Sequence, residues 1–228
     1  MTARLTLLAT AIVAAMGVCP AAFASEAVYQ YTIEHARYGN IGTYANIVTA
    51  GNDGTSEVKT VVHVAVKILG ITMYREDAQR TEHWQGDRLV SFDGVTETNG
   101  SKLELHGQAQ GDNFVVTTPN GKIMAPAKVR PSNPWAQFVL LDSNVMFSTK
   151  TGRLFNVTVR GGDEEPATFD GKSFQLRRYE IDGTKREFVW FDRRGAVFAF
   201  RTEEDGANVD FVLSDAASAI PEEKRSER

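Results

Sequence analysis

Asn-Gly and Asp-Gly pairs punctuate the chain at Asp53-Gly54, Asp93-Gly94, Asn99-Gly100, Asn120-Gly121, Asp170-Gly171, Asp182-Gly183 and Asp205-Gly206, with Arg194-Gly195 as a weaker member. Such pairs take the positive φ angles of tight hairpin turns at little steric cost. The runs between them are rich in Val, Ile, Phe, Tyr, Trp and Thr, side chains that suit a pleated surface. From Asp170 onward the turns recur about every 11 or 12 residues, one strand plus one turn, which predicts a four-strand antiparallel meander.

Alternation shows which faces are buried. Val62, Val64, Val66 and Ile68 lie on one face with His63 and Lys67 on the other, and Val209, Phe211 and Leu213 alternate with Asn208, Asp210 and Val212. Phe188-Val189-Trp190-Phe191 is apolar on both sides, as in a strand central to a layered core or lining an apolar cavity. One stretch departs from period two. After Pro131-Ser132-Asn133-Pro134, the residues Trp135, Phe138, Val139, Leu141 and Val145 recur at helical spacings. Asn133 is placed to cap that helix, with Pro134 at its first position. The helix then plugs the open end of the core or closes as a lid over a ligand cavity. The expected fold is all-β and mainly antiparallel: a curved meander sheet or half-open barrel with one short helix near 134–146.

Met1 to Ala24 has the order of an export signal: basic Arg4, an apolar stretch from Leu5 to Val18, and the small-residue end Ala22-Phe23-Ala24. Cleavage is expected between Ala24 and Ser25, which makes the working protein periplasmic or secreted. Thr6, Thr10, Gly17 and Pro20 dilute the run and argue against a retained anchor, while Val18 before Cys19 and Pro20 after it argue against lipid attachment. Cys19 is the chain's one cysteine, so cleavage excludes disulfides and thiol chemistry. Residues 25–216 read as a single β-rich domain and 217–228 as a flexible charged tail. Of 25 Lys and Arg only Arg4 leaves with the signal, so the remainder faces 29 acidic residues at a net charge of about −5. The cations are scattered rather than striped, which argues against nucleic acid as a partner.

No motif for chemistry emerges. His35, His63, His83 and His106 all fall in expected strands, but hairpin register sets His63 opposite roughly Glu76, His83 opposite Val90 and His106 opposite Asp93, so no two share a site. No G-x-S-x-G elbow is present. Asp163-Glu164-Glu165, between Gly162 and Pro166, reads as a solvated loop, and Gly161-Gly162 lacks the spacing and Lys of a phosphate loop. The expectation is neither metal nor cofactor. What remains is an aromatic surplus, 13 Phe and 3 Trp. If one sheet face lacks a second layer, these side chains line an apolar groove. The candidate lining residues are Trp84, Trp135, Phe138, Met146 and Trp190.

Six stretches, Tyr29 to Gly42, Val64 to Tyr74, Glu82 to Leu89, Thr151 to Leu154, Arg178-Tyr179 and Val189 to Phe200, together resemble a family of uncharacterised exported bacterial proteins classed as a domain of unknown function. The hairpin from Trp190 to Val197 is also similar to the last strands of the periplasmic and outer-membrane lipoprotein carriers, curved sheets around a helical plug with an apolar cavity. This chain has far less helix. The apolar excess on two-sided strands and the absence of catalytic motifs point to an exported envelope protein leaning towards a non-enzymatic role, with a lipid or other lipophilic molecule, or an envelope protein, as partner and no stable membrane insertion after cleavage. The alternative is an interaction module acting through a sheet edge, and a hydrolase is the least supported reading.

Overall fold

The computed structural model describes residues 25–141, 144–169, 171–204 and 206–218. The export segment 1–24 and residues 219–228 of the charged tail lie outside them. In chain order the strands are β1 (Ser25–His35), β2 (Gly39–Ala50), β3 (Thr55–Ile68), β4 (Ile71–Gln85), β5 (Arg88–Thr98), β6 (Ser101–Gln110), β7 (Asn113–Thr118) and β8 (Gly121–Pro126). A stretch of short elements follows: β9 (Arg130–Pro131), helix α1 (Gln137–Leu141), β10 (Val145–Phe147) and β11 (Leu154–Asn156). The chain then completes β12 (Thr158–Phe169), β13 (Lys172–Asp182), β14 (Arg186–Phe191), β15 (Val197–Glu204) and β16 (Ala207–Ser218).

β16 returns to pair with β1, from Ala27↔Ser218 to His35↔Val209. That pairing fuses two meanders into one curved antiparallel sheet of 13 strands with β8 and β12 as its free edges. The fold is therefore all-β and half-open, and β13 to β16 form the meander that the turn spacing predicts. Backbone bulges bend the sheet, at Gln30/Tyr31, Val66/Lys67, His83/Trp84 and Trp190/Phe191 among others. The histidines pair as the register argument expects, to within a residue: His63↔Asp77, His83↔Ser91 and His106↔Asp93. His63 and His106 each hold the facing Asp carboxylate at 2.7 Å.

Three local expectations are corrected. Asp93-Gly94 is not a turn but lies inside β5, on the concave face, where a Cβ on Gly94 would stand 2.9 Å from the Phe92 ring. Asp163-Glu164-Glu165 is not a loop but part of edge strand β12. Gly161 and Gly162, at φ 93° and 111°, form a bulge there, and Glu164 and Glu165 pair with Arg193 and Arg178. The short helix expected near 134–146 is present as Gln137–Leu141, but Asn133 does not cap it, because its side chain is drawn inward to Glu82.

Two apolar clusters fill the concave side. One gathers Tyr31, Ile33, Tyr44, Val62, Val189, Phe191 and Val209 with Leu140, Met146 and Val157. The other gathers Trp84, Leu89, Phe92, Leu105, Phe114 and Val116 with Val129, Val139 and Phe147. Both therefore take side chains from residues 127–157, which lie across the concave face as its cover. A third cluster, Phe169, Leu176, Trp190 and Ala199, uses the opposite face of β14 and β15. There the tip of the β12–β13 hairpin runs past the end of β14, whose pairing with β13 starts at Arg177↔Phe191. Close packing under the cover depends on Gly107 in β6, where an added Cβ would sit 2.5 Å from the Phe114 ring. Gly107→Ala is expected to cost about 1–3 kcal/mol through this overlap, read as a lower urea midpoint at unchanged slope.

Candidate functional site

Between the two concave clusters runs a buried polar layer. Its residues come from alternate positions of three adjacent strands and from the cover: Asn46 on β2, Thr60 on β3, Glu76, Arg80 and Glu82 on β4, and Arg130 and Thr149 on the cover, all buried. A side chain two residues on points to the same face, so Glu76, Ala78, Arg80, Glu82 and Trp84 form one inward row. Thr60 Oγ1 donates to Asn46 Oδ1 at 2.8 Å. Lys150 Nζ, reaching in from the cover, donates to Glu76 Oε2 at 2.7 Å, and the Tyr74 hydroxyl donates to the same oxygen.

Glu82 is the centre of this layer, with no exposed surface at all. Trp84 Nε1 donates to its Oε2 at 2.9 Å and Asn133 Nδ2 to its Oε1 at 3.3 Å, which ties the cover to the sheet. Burial pushes the carboxyl up to about 7, against the downward pull of the bonds from Trp84 and Asn133 and the Arg80 charge. Burial also raises the Glu76 carboxyl, but Lys150, Tyr74 and Arg80 together bring it net below its ordinary value. The Arg80 guanidinium is lowered by burial, opposed by Tyr44, Glu76 and Glu82. Its Nε and the Asn133 Oδ1 are both buried with no hydrogen-bond partner in the protein. Arg130, fully buried, lays its guanidinium 5.2 Å from the centre of the Trp84 ring.

Above the layer, three of the five candidate lining residues meet. Trp84, Trp135 and Phe138 pack edge to face at 5.2–6.1 Å, and Phe138 reaches solvent with Leu141 beside it. Met146 is buried in the other concave cluster. Trp190 lies on the far side of the sheet, since its neighbours Val189 and Phe191 face the concave core and period two sends it outward. The helix end of the cover is strapped to the opposite wall, where Gln137 donates to the Tyr179 hydroxyl at 2.7 Å and its backbone N–H to Gly195 O at 3.1 Å. Two surface depressions, of about 310 Å³ beside His63 and Asp77 and about 140 Å³ beside Asp93 and His106, are lined by other residues. Sequence reasoning missed Arg80, Glu82 and Asn133.

Among the described residues, no three His, Cys, Asp or Glu converge as a metal set, and no helix is long and apolar enough to cross a membrane. No curated protein matches the chain. A solved structure from Brucella abortus, described as a beta-barrel-like protein of the domain of unknown function DUF1849, superposes with a TM-score of 0.62 at 12% identity, over 85% of this chain and 97% of its own. That likeness concerns fold. A domain from Vibrio parahaemolyticus described as outer membrane lipoprotein-sorting aligns over 88% of this chain and 87% of its own at 11% identity, but its TM-score of 0.22 carries no argument. A family model described as a domain of unknown function, DUF6134, matches residues 31–214.

Proposed function

The chain belongs to the DUF6134 family, and from that premise we propose that it is an exported, non-enzymatic envelope protein that binds a lipophilic molecule with a small polar head beneath the 127–157 cover. The observation that carries this reading is that a donor and an acceptor of the polar layer, Arg80 Nε and Asn133 Oδ1, are buried without partners, as is Trp135 Nε1 where that ring packs against Trp84 and Phe138. A buried donor and acceptor without partners cost free energy unless something else supplies them. A head group that accepts from Arg80 and donates to Asn133 satisfies both, while the apolar body takes the aromatic surface. The cover suits entry from outside, since its longest element is five residues. Catalysis has less support, because Glu82, the acid nearest neutrality, is enclosed and engaged by Trp84 and Asn133.

Pairing through a sheet edge also has less support. β8 is six residues ending at Pro126, and β12 carries a bulge, Pro166 and several charges, features that blunt an edge against further strands. The test is twofold. Organic extraction of the purified protein followed by mass spectrometry is expected to yield a stoichiometric lipophilic molecule, and a dansyl fatty acid is expected to bind with a blue-shifted emission. Arg80→Met is expected to weaken the dansyl probe by about tenfold or more through loss of a charged hydrogen bond. Absence of both extracted ligand and probe binding overturns the reading.

A further inference from the structure

One cation in the buried layer has no counter-charge. Arg80 is 5% exposed, yet no ion pair joins it to a carboxylate of the described residues and its Nε donates to nothing. The more exposed arginines are treated differently: Arg75, Arg178, Arg193 and Arg201, each with more than a third of the side chain exposed, all hold a carboxylate. That order is the reverse of what stability alone selects, because a surface ion pair contributes little, whereas a charge taken out of water is costly until a partner meets it. The neighbours of Arg80 across the sheet are Thr60 on β3 and Gly94 on β5. Neither carries charge, and the Thr60 hydroxyl gives its proton to Asn46.

The two carboxyls in its own inward row are engaged elsewhere. Glu76 is held by Lys150 Nζ at 2.7 Å and by the Tyr74 hydroxyl. Glu82 accepts from Trp84 and Asn133, and burial keeps it protonated up to about pH 7. Both act on Arg80 only from beyond ion-pair distance. The unpartnered atoms at this level are also unbalanced in kind: Arg80 Nε and Trp135 Nε1 are donors, and Asn133 Oδ1 is an acceptor. A donor-rich layer around an unneutralised cation is complementary to an anion.

We propose that the head group taken beneath the cover is a carboxylate on Arg80, which makes the ligand an acidic amphiphile with a hydroxyl close to its acid group. The assignment rests on the lipophilic-ligand reading and narrows it. A carboxylate brings one negative charge to one positive, and its two oxygens match the guanidinium fork. A phosphate monoester carries close to two charges at neutral pH and leaves the second buried without a partner. An ester or alcohol head supplies acceptors but leaves the cation uncompensated. The hydroxyl serves Asn133 Oδ1, an acceptor to which an ionised acid has no proton to give. One small head group can reach both, since Arg80 and Glu82 are successive members of one inward row, roughly 7 Å apart, and Asn133 is bonded to Glu82.

The test ranks competitors against the bound dansyl fatty acid on the purified protein, stripped of lipid and held below neutral pH. The competitors are β-hydroxydecanoic acid, its methyl ester and decyl phosphate. The acid is expected to displace the probe at a concentration about tenfold or more below that of the ester. A purely apolar pocket gives the opposite order, because the ester is the more lipophilic of the two. Arg80→Met is expected to put the ester first, while Arg80→Lys, which keeps the charge and loses the fork, keeps the acid ahead by a smaller ratio. The wild-type ranking decides by itself should Arg80→Met fold poorly. An ester equal to or ahead of the acid, decyl phosphate ahead of both, or an acid preference that survives in Arg80→Met overturns the carboxylate assignment while the lipophilic-ligand reading stands. Absence of any probe binding removes that reading and this one together.

Discussion

Phe147→Ala is expected to destabilise the fold by about 3–5 kcal/mol, the range for truncating a fully buried phenylalanine, and to do so by loosening the cover rather than the sheet. Phe147 has no exposed surface and is held on β10, which is three residues long. Its ring meets Phe92 edge-on at 5.0 Å and stacks on Phe114 at 6.0 Å, so one side chain joins the cover to β5 and β7. For a domain of this size the loss corresponds to a fall in Tm of about 6–20 °C. The neighbouring strands cannot collapse into the gap, because their hydrogen-bonded register continues through Phe92↔Gly107 and Gly107↔Val116. A second readout separates cover from core: limited proteolysis of the variant is expected to cleave within the cover at temperatures below its midpoint, where the wild type stays intact. A fall of less than 1 kcal/mol would mean that the cover is secured elsewhere, at Gln137 and Tyr179 for example.

The sheet was legible because its information is local. Turn pairs and period-two runs specify hairpins within a dozen residues, and the register argued for His63, His83 and His106 holds to within a residue across β3 to β6. Asp93-Gly94 misled because the same glycine that frees a turn also permits close approach, here beneath the Phe92 ring. The polar layer was not legible, and β4 shows why. Its residues Tyr74, Glu76, Arg80 and Glu82 on one face and Arg75, Asp77, Gln79 and His83 on the other are polar on both sides, so alternation gives no sign of which faces inward. That choice is made by Trp84 and Ala78, which share the inward row, and by a cover whose docking depends on residues some fifty positions away, such as Asn133 on Glu82. Trp190 was misplaced for the reverse reason: a strand apolar on both faces packs on both, and only the overhanging β12–β13 tip reveals that the outer face has its own cluster.

Glu82 makes stability depend on pH in a direction opposite to ordinary acid denaturation. In the folded chain its carboxyl titrates at about 7, against an ordinary value of 4.5. Between those values the folded state keeps a proton that the unfolded state releases, so stability falls as pH rises through this window and levels off above about pH 7. At about 1.4 kcal/mol per unit, the full difference is on the order of 3 kcal/mol. Glu76 acts in a separate window, because its lowered carboxyl contributes stability that is lost only as pH falls through its own, lower range. Glu187, raised by burial, slopes the same way as Glu82 and leaves its own share in any variant. Glu82→Gln removes the ionisation while keeping the shape: its Oε1 still accepts from Trp84 Nε1, and its new amide can donate to the Asn133 Oδ1 that now has no partner. The variant is therefore expected to match the wild type near pH 5 and to exceed it by about 2–3 kcal/mol at pH 8, with a flatter profile between, measured by urea unfolding at each pH. Parallel profiles for the two proteins would mean that water reaches the carboxyl and that the polar layer is open in solution. A flattened profile would instead place a neutral acid at the hinge between cover and sheet, where deprotonation above pH 7 weakens the closed form that Asn133 secures.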